Sequence, residues 1–522
     1  MPIVRSEQLN ASTLAQLSEP EVHQVYCGLD CAITFEVLEE VSALCGITAE
    51  EVPSEPSESW PSTYNFERAL QAPALDMMLR GFKIDQYERA KGIERTEREL
   101  TVVRAQLDLL ANHVLTGTAA GPGLNPNSPK QLKDFFYARM KLPEIWISQK
   151  GERKLSLNRE VLEKLELYFH ARPLIALILE ARDLAKRLSV LKTEVSSDGR
   201  MRTSYNIGGT NTGRWSSSSN AEGTGTNLQN ITAELRSMFV ADAGWKICGI
   251  DLEQAESREV GLLCGILFND WSYLDACEGG DLHTTTAKLI WPDLPWTGDK
   301  ARDKELAERK FYREFSYRDM SKRGGHGSNY LGTPFTMSRH LKVPVRLMEN
   351  FQASYFEAFP CIPSWHRWTA ERLQREGVLV TPFGRRRQFF GRSDDDATLR
   401  KAIAFSPQSS TGDRLNLGLW RIWKYMPEVQ LLAQVHDAVY FQFMDLGPAY
   451  EASVVSRALE LITNISLSAP NGRIFLVPGE AKVGWNWGGR GKDGTNADGL
   501  VKWSPRSPDL RTRSPSGLER VL

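Results

Sequence analysis

The segment VQLLAQVHDAVYFQF, residues 429–443, decides the fold of this 522-residue chain. Two apolar halves flank the polar pair His436 and Asp437, a pattern typical of two strands joined by a tight turn. The strands of such a hairpin are antiparallel, and the turn places its side chains at the edge of a sheet. The segment therefore predicts a sheet with a carboxylate at its rim.

A second aspartate has nearly the same setting. Asp251 ends the apolar run KICGID, residues 246–251, and the helix-compatible segment EQAESREVGLL follows it. Two carboxylates on neighbouring strands, together with a backbone carbonyl such as that of Leu252, form a hard-oxygen site suited to Mg²⁺. The alternative is that Asp251 and Asp437 are ordinary strand-end or turn residues.

A glycine-rich segment, RDMSKRGGHGSNYLGTP, lies between the two acids at residues 318–334. Arg318 and Lys322 stand four residues apart, the spacing of side chains that share a helical face. Gly324, Gly325 and Gly327 oppose a helix, because each costs about 1 kcal/mol relative to alanine. A phosphate-binding loop is the alternative, but the pattern G-x-x-x-x-G-K-[ST] does not occur in the sequence.

Composition limits the classes of protein to consider. A mass of 58.8 kDa predicts several lobes, and 41% hydrophobic with 25% charged residues is typical of a soluble globular protein. Because no apolar run reaches the length of a membrane span and the N-terminus lacks a signal-peptide core, we expect no membrane partner and a cytoplasmic location. Seven cysteines without a C-x-x-C pair fit reduced thiols better than disulfides or a zinc site. The net charge of −1 neither supports nor excludes a polyanionic partner.

Coarse patterns divide the chain further. Residues 21–46 indicate an amphipathic helix, and VPSEPSESWPST, residues 52–63, a linker. The stretch from 64 to about 200 is mostly helical in pattern, 203–230 is polar, and helices dominate 254–375. The last thirty or so residues, rich in Gly, Ser, Pro and Arg, predict a loose tail.

The order of these features resembles motifs A, B and C of the family A DNA polymerases. DLEQAESR, residues 251–258, is similar to the family's D-Y-S-Q-I-E-L-R, and residues 318–331 are similar to R-x-x-x-K-x-x-x-F/Y-G-x-x-Y-G. QVHDAV, residues 434–439, is similar to V-H-D-E. Further similar segments are TNTGRWSS, TNLQNI, DLHTTTA, TPFGRRR, SPQSSTGD and LNPNSPKQL. The resemblance covers nearly the whole chain from about residue 60.

The resemblance implies an α+β, multidomain fold of the right-hand polymerase type, with an antiparallel-sheet palm, helical fingers and a helical thumb. It also implies domain boundaries. These are 1–58 for an exonuclease-like remnant and linker, 59–200 for the start of the palm and the helical thumb, 201–268 for the palm with motif A, 269–398 for the fingers with motif B, 399–488 for the palm with motif C, and 489–522 for a C-terminal tail.

The family's reaction is implied as well. A template-directed DNA polymerase adds dNTPs to a primer 3′-hydroxyl with the help of two Mg²⁺ ions. Asp251 and Asp437 are the implied catalytic and metal-binding acids, and the backbone carbonyl of Leu252 is a further metal ligand. One ion lowers the pKa of the primer hydroxyl and the other steadies the triphosphate, so no side-chain general base is required. The expected partners are primer-template DNA and dNTPs.

Further site residues follow from the same motifs. The implied nucleotide-binding residues are Arg318, Lys322, His326, Tyr330, His283, Gln254 and Glu256. The implied primer- and template-binding residues are Arg214, Gln229, Asn230, Arg400, Gln408, His436 and Lys130. For His436 the alternative is a buried core histidine.

Three of these expectations carry a physical reason. Arg318 and Lys322, one turn apart, would hold adjacent phosphates of the triphosphate. Glu256 and Tyr330 would narrow the sugar pocket, as in the family, which implies that the enzyme uses dNTPs rather than NTPs. The glycines of motif B would let the backbone approach the nascent base pair, in a part that opens and closes.

Four positions depart from the family pattern. His326 stands where Phe or Tyr is usual, and we hypothesise that its ring supports acceptance of chain-terminating dideoxynucleotides. Ala438 replaces a Glu, Ala404 an Asn and Leu331 a Gly. Neither essential acid is affected, so these departures bear on fidelity and rate.

The segment YCGLD, residues 26–30, resembles Y-x-x-x-D, the last of three motifs in the family's proofreading exonuclease. The other two would lie upstream and do not occur, and one carboxylate cannot hold two metal ions, so we expect no proofreading by this chain. A separate exonuclease polypeptide or a processivity factor is then a candidate partner. A diverged member of this kind fits a phage or viral replication enzyme in a host cytoplasm. The alternative is that residues 1–58 form only a packing helix.

Two other classes of protein remain as alternatives. A single-subunit RNA polymerase would share the Asp, Lys and His-Asp landmarks, but it would lack the gate that Glu256 provides. A catalytically silent nucleic-acid-binding relative is disfavoured because both Asp251 and Asp437 are present.

Overall fold

The computed structural model describes residues 17–45, 63–149, 152–220 and 223–505. Two compact units divide the chain, one ending at Ala69 and the other beginning at Leu70. The predicted linker at 52–63 lies almost entirely outside the described residues. So do parts of the predicted exonuclease-like region, at 1–16 and 46–58, and of the predicted tail, at 506–522. The finer domain boundaries stay predictions.

The first unit contains the helices α1, Glu19–Cys45, and α2, Thr63–Ala69. The helix predicted at 21–46 is confirmed, but its amphipathic character is not. Ile33 and Phe35, two residues apart and therefore on different faces of the helix, are both more than half exposed. Leu44 is 84% exposed. The apolar side chains of α1 are thus distributed around the helix instead of forming one buried stripe.

The second unit alternates helices and strands. Its strands are β1 Phe82–Ile84, β2 Trp146–Gln149, β3 Glu152–Leu155, β4 Arg200–Met201, β5 Ser204–Asn206, β6 Ser216–Ser218, β7 Phe239–Val240, β8 Trp245–Leu252, β9 Lys310–Tyr312, β10 Phe315–Ser316, β11 Val378–Val380, β12 Arg386–Gln388, β13 Gln430–Val435, β14 Ala438–Met444, β15 Leu467–Ser468, β16 Ile474–Phe475, β17 Gly479–Gly484 and β18 Val501–Lys502.

The helices of this unit are α3 Gln71–Arg80, α4 Gln86–Thr116, α5 Pro129–Lys133, α6 Arg159–Leu165, α7 Arg172–Leu191, α8 Ala255–Phe268, α9 Ser272–Glu278, α10 Leu282–Ile290, α11 Lys300–Ala307, α12 Tyr317–Asn329, α13 Pro334–Leu341, α14 Val345–Ala358, α15 Cys361–Glu376, α16 Asp396–Tyr425 and α17 Pro448–Thr463. Among the helices of the described ranges, none is long and apolar enough to cross a lipid bilayer.

A five-stranded sheet forms the framework of the second unit. Its strand order is β13-β14-β8-β17-β18, and every neighbouring pair of strands is antiparallel. β13 and β14 form the predicted hairpin, in which Val435 pairs with Ala438 across a two-residue turn. Most residues of β8, β13 and β14 are buried, and α16 and α17 pack against this sheet. The antiparallel sheet predicted from residues 429–443 is therefore confirmed, together with the α+β class.

Helices dominate the rest of the unit, as the patterns at 64–200 and 254–375 predict. The long helices α4 and α7 pack along each other. Helices α8 to α15 surround a separate apolar core that includes Met320, Phe351 and Trp365. The exceptions are the hairpins β2-β3 and β9-β10, which interrupt the helical segments.

Helix α12 runs straight through the glycines that oppose it. It begins with a capping box between Ser316 and Asp319. A Cβ atom on Gly324 would lie 2.5 Å from the ring of Phe351, and one on Gly327 would lie 2.5 Å from the sulfur of Met337. The absence of these Cβ atoms thus lets α13 and α14 pack closely against α12. Close packing between helices is the structural reason for the glycines, and it offsets their low helix propensity.

The chain remains part of the sheet well beyond residue 488, where a loose tail is predicted. Strand β18 pairs with β17, Leu500 is buried, and the Trp503 N–H donates to the Ala481 carbonyl at 2.9 Å. The tail prediction is wrong for residues 489–505. Composition misleads there because the Gly-rich turn at 488–499 looks unstructured, although it returns the chain to the sheet.

Candidate active site

The sheet brings the two predicted catalytic aspartates to one rim. Asp251 lies near the end of β8, and Asp437 lies in the turn between β13 and β14. Ala438 pairs directly with Asp251, and the Leu252 N–H donates to the Asp437 carbonyl at 3.1 Å. Strand pairing therefore places the two carboxyl-bearing residues side by side, although they are far apart in the sequence.

The electrostatics of this pair favour a cation. Burial, and then the charge of Asp437, raise the pKa of Asp251 to about 6. Burial also raises the pKa of Asp437, while the nearby guanidinium of Arg214 acts to lower it. Two carboxylates that resist simultaneous ionisation are stabilised by a bound positive charge.

The donor set at this rim fits a hard divalent cation. The two carboxylates and the Leu252 carbonyl supply oxygen ligands, the type that Mg²⁺ prefers. Within the described ranges, no cluster of three or more His, Cys, Asp or Glu side chains is arranged to hold a metal ion. Any ion at this site would therefore need oxygen atoms from the backbone, from solvent or from a substrate in addition to Asp251 and Asp437.

A bridge of charged and polar groups connects the rim to helix α12. Arg214 donates from Nη2 to Glu256 Oε1 at 2.5 Å and to Asp437 Oδ1 at 2.9 Å. The Tyr330 hydroxyl donates to the other oxygen of Glu256. Burial raises the pKa of Tyr330 and the charge of Glu256 raises it further, so this hydroxyl stays protonated. The predicted partners Glu256 and Tyr330 are thus in direct contact.

A cleft of about 340 Å³ opens beside this bridge. The predicted site residues that line it are Leu252, Gln254, Glu256, His283, Lys322, His326 and Asp437. The cleft is therefore lined by cationic, imidazole and carboxylate groups.

The two cations of α12 have different surroundings. Arg318 forms a bidentate ion pair with Asp281, and it does not line the cleft. Lys322 is exposed, lines the cleft and has no ion-pair partner among the described residues. The structure therefore brings only Lys322 directly to the cleft, and Arg318 lies one turn away in a pair with an acid.

Two imidazole groups also line the cleft. Burial lowers the pKa of His283 to about 4, and the charges of Arg318 and Lys322 act in the same direction. His326 is exposed, and its ring centre lies 4.9 Å from that of Tyr330. Both histidines are thus placed to meet a ligand in the cleft.

Positive φ angles mark two of the predicted residues. Gln254, which precedes α8, has φ 54°, and His436 in the hairpin turn also has φ 54°. His436 is exposed, so the alternative of a buried core histidine is wrong. Left-handed backbone is uncommon in residues other than glycine, and it clusters at functional sites.

The predicted primer- and template-binding residues are distributed over several elements. Gln229 donates to Gln434 Oε1 at 2.9 Å, and Gln434 in turn donates to the His436 carbonyl at 3.1 Å. Arg400 and Gln408 lie on α16, and Asn230 is exposed beside Gln229. Lys130 lies on the short helix α5, and no described contact joins it to the cleft. The structure therefore gathers Arg214, Gln229 and His436 at the rim, and the primer- and template-binding roles of all seven residues stay predictions.

Two residues of the site are missed by the sequence reasoning. Asp281, the partner of Arg318, stands two positions before His283 in DLHTTTA, and Gln434 opens QVHDAV. Both residues lie inside segments that resemble the family, so the sequence did point to these parts of the chain. A single sequence does not reveal which side chain of such a segment reaches a neighbouring element.

Comparisons with known proteins agree with this fold. The family model described as DNA polymerase family A matches residues 94–488. The thermostable DNA polymerase I of Thermus aquaticus is 28% identical over 439 residues, covering 80% of this chain and 47% of that protein. The enzyme of Thermus caldophilus is 27% identical over 417 residues, covering 76% of this chain and 45% of that protein. The chain thus spans less than half the length of these relatives.

A solved structure extends the comparison to the fold. It is the POL domain of Pol1 from M. smegmatis in complex with DNA primer-template and dNTP, with a TM-score of 0.63 and 22% sequence identity. The match covers 81% of this chain and 70% of that one. Sheet, helices and carboxylate rim thus define a protein of the polymerase class. The chain belongs to DNA polymerase family A.

Proposed function

We propose that this chain is a DNA-directed DNA polymerase that adds dNTPs to the 3′-hydroxyl of a primer on a DNA template, with two Mg²⁺ ions. Membership of family A supports the reaction type. The observation that carries the proposal is the pairing of β8 with β14, because it sets Asp251 next to Asp437 at the rim of the sheet, and Asp437 lines the cleft.

The carboxylates and the Leu252 carbonyl would hold the metal. Bound there, Mg²⁺ would supply Lewis-acid stabilisation of the charge that develops on the reacting oxygens. Lys322 and His283 line the same cleft as Asp437, so a triphosphate bound there would find a cation and an imidazole N–H. The cleft thus offers both a metal-binding carboxylate and groups that bind phosphate, as nucleotidyl transfer requires.

The contact between Glu256 and Tyr330 supports the choice of deoxynucleotides. Both side chains are held in place, Glu256 by Arg214 and Tyr330 by Glu256 itself. A sugar that enters the cleft beside them meets a fixed carboxylate and a fixed aromatic ring. A 2′-hydroxyl would need one of them to move, so the proposal favours dNTPs over the NTPs of an RNA polymerase.

Primer extension with variants of the two acids tests the proposal. The wild-type chain should extend a primed DNA template with dNTPs and Mg²⁺, and Asp251→Asn should abolish extension while it preserves side-chain volume. Glu253→Gln is the matched control, because Glu253 is an exposed acid two residues away and should tolerate neutralisation. Extension by Asp251→Asn at the wild-type rate, or extension with NTPs alone, would refute the proposed function.

We propose further that this chain alone does not proofread. Asp30, the acid of the Y-x-x-x-D resemblance, is exposed on α1, and within the described ranges it belongs to no group of three or more His, Cys, Asp or Glu side chains that could hold a metal ion. A primer with a mismatched 3′ end should therefore stay uncleaved by the purified chain. Excision of the mismatched nucleotide would contradict this. A viral role in the host cytoplasm, and a separate exonuclease or processivity polypeptide, stay predictions from the sequence.

A further inference from the structure

The ion pair of Arg318 is unusual among the cations near the cleft. Its Nε donates to Asp281 Oδ2 at 2.7 Å, and its Nη2 donates to Asp281 Oδ1 at 2.9 Å. Both side chains are about three-quarters buried. Such a fork-to-fork pair fixes the plane of the guanidinium as well as its position.

Asp281 has a second structural connection. It is the N-cap of α10, where it accepts a hydrogen bond from the Thr284 N–H at 3.2 Å and another from the Thr284 hydroxyl at 2.5 Å. Although burial acts to raise it, hydrogen bonds from Arg318 and Thr284 lower the pKa of Asp281 to about 2. The carboxylate is therefore ionised at neutral pH and joins the first turn of α10 to the first turn of α12.

That junction unites His283, which the proposed function assigns to the triphosphate, with Arg318, which the resemblance to the family assigns to it. His283 lies in the first turn of α10, two residues after the cap, and lines the cleft. Arg318 lies in the first turn of α12, one helical turn before Lys322. A single carboxylate thus sets the separation between the imidazole and the guanidinium.

We propose that Asp281 is a positioning residue for the incoming nucleotide. Arginine has five N–H donors, and the bidentate pair engages two of them. The remaining donors of Arg318 are held in a fixed orientation, so that less side-chain entropy is lost when a phosphate binds. This inference rests on the proposed function. Lys322, without such a partner among the described residues, acts as a mobile point charge.

The opposite role would be sequestration. If Asp281 withheld Arg318 from the nucleotide, its neutralisation would release the guanidinium and lower the KM for dNTP. If Asp281 positions Arg318, neutralisation raises the KM. The sign of the change in KM therefore separates the two roles.

Steady-state extension by Asp281→Asn provides the measurement. Asparagine keeps the size and the capping oxygen but loses the charge-assisted pair. We expect kcat/KM for dNTP to fall by roughly 10- to 100-fold, as for a misplaced catalytic group, mostly through a higher KM. The Kd for primer-template DNA should not change. If Asp281→Asn does not fold, Asp281→Ser, which also caps but cannot form the bidentate pair, takes its place.

A double-mutant cycle shows whether the effect passes through Arg318. In an Arg318→Ala background, Asp281→Asn should cause little further loss, because the group that Asp281 positions is gone. Asp299→Asn is the matched control, since Asp299 caps α11 through the Ala301 and Arg302 N–H groups and contacts no cleft residue. It should retain wild-type kcat/KM.

The outcomes separate this inference from the function on which it rests. A wild-type chain that incorporates no dNTP overturns the proposed function itself. An active wild type with an unchanged or lowered KM in Asp281→Asn overturns the positioning role. Equal losses from Asp281→Asn with and without Arg318 also overturn it, because they would reveal a purely structural effect.

Discussion

At the scale of single residues, the contacts of Glu256 lead to a specific prediction about the choice between dNTPs and NTPs. Glu256→Ala removes the carboxylate that holds Tyr330 and Arg214, so the sugar pocket widens and Arg214 keeps only Asp437 as a partner. We expect the ratio of ribonucleotide to deoxynucleotide incorporation to rise by at least about tenfold, equivalent to about 1.4 kcal/mol. The measurement is single-nucleotide extension with matched dNTP and NTP concentrations.

Two variants control for this effect. Glu256→Gln retains the size of the side chain and should keep most of the discrimination, whereas Tyr330→Phe retains the ring but loses the hydrogen bond to Glu256. If Glu256→Ala and the wild type discriminate equally, the sugar gate lies elsewhere.

The pKa of His283 implies that the free energy of unfolding of the chain depends on pH. Its pKa is about 4 in the folded chain, mainly because of burial, against about 6.5 in an unfolded chain. As the pH falls from about 6.5 to 4, the unfolded state takes up a proton that the native state does not, so this residue lowers the free energy of unfolding. Denaturant unfolding of wild type and His283→Gln across that range should show the wild type losing more stability. A difference that stays constant with pH would contradict the prediction.

At the scale of elements, helix α12 shows how packing overrides local propensity. Gly324→Ala would gain about 1 kcal/mol of helix propensity, but its Cβ would lie 2.5 Å from Phe351. Overpacking of this kind costs about 1–3 kcal/mol. We therefore expect a lower melting temperature for Gly324→Ala.

Gly92 on α4 is the matched control for this change. A Cβ there would lie 3.1 Å from a methyl group of Leu191, which ends a flexible side chain and can move. Gly92→Ala should therefore be neutral or mildly stabilising. A stabilised Gly324→Ala variant would show that α14 does not pack tightly against α12 at Gly324.

The same helix marks a limit of sequence-based prediction. The spacing of Arg318 and Lys322 correctly indicates a helix, although the glycines argue against one. The packing of Phe351 against Gly324 arises from a helix more than twenty residues away in the chain, and local propensities do not contain it. Leu331 illustrates the same limit, because it adopts φ 57° at a position where the family usually has glycine.

At the scale of the whole molecule, the sheet extends further than composition suggests. Leu500 packs with Trp487 in the core beneath the sheet, so Leu500→Ala should destabilise the chain by about 2–5 kcal/mol. Leu476 is 41% exposed, and Leu476→Ala should stay within about 0.5 kcal/mol of wild type. The denaturant midpoints of the two variants test whether Leu500 belongs to the core. Equal midpoints would show that the segment around residue 500 does not contribute to it.

Much of the site was predictable because its residues lie in ordered motifs. Glu256, Lys322 and Asp437 line one cleft, Asp251 lies beside Asp437 through strand pairing, and Tyr330 contacts Glu256; the catalytic roles of these residues stay predictions. The pairing of Arg318 with Asp281 was not predictable, since it depends on how α10 and α12 are oriented. The strand at 501–502 was missed for a different reason, because two residues carry too little periodicity to indicate a strand.

The order of strands in the sheet has a consequence for biosynthesis. Strand β8 is flanked by β14 and β17, which both lie much later in the chain. The ribosome therefore synthesises Asp251 long before it synthesises Asp437. A nascent chain therefore carries helix α12 and Asp251 before it carries Asp437. Under the proposed function, translation must continue beyond both later strands before the polypeptide can act on DNA, and prematurely terminated products should be inert.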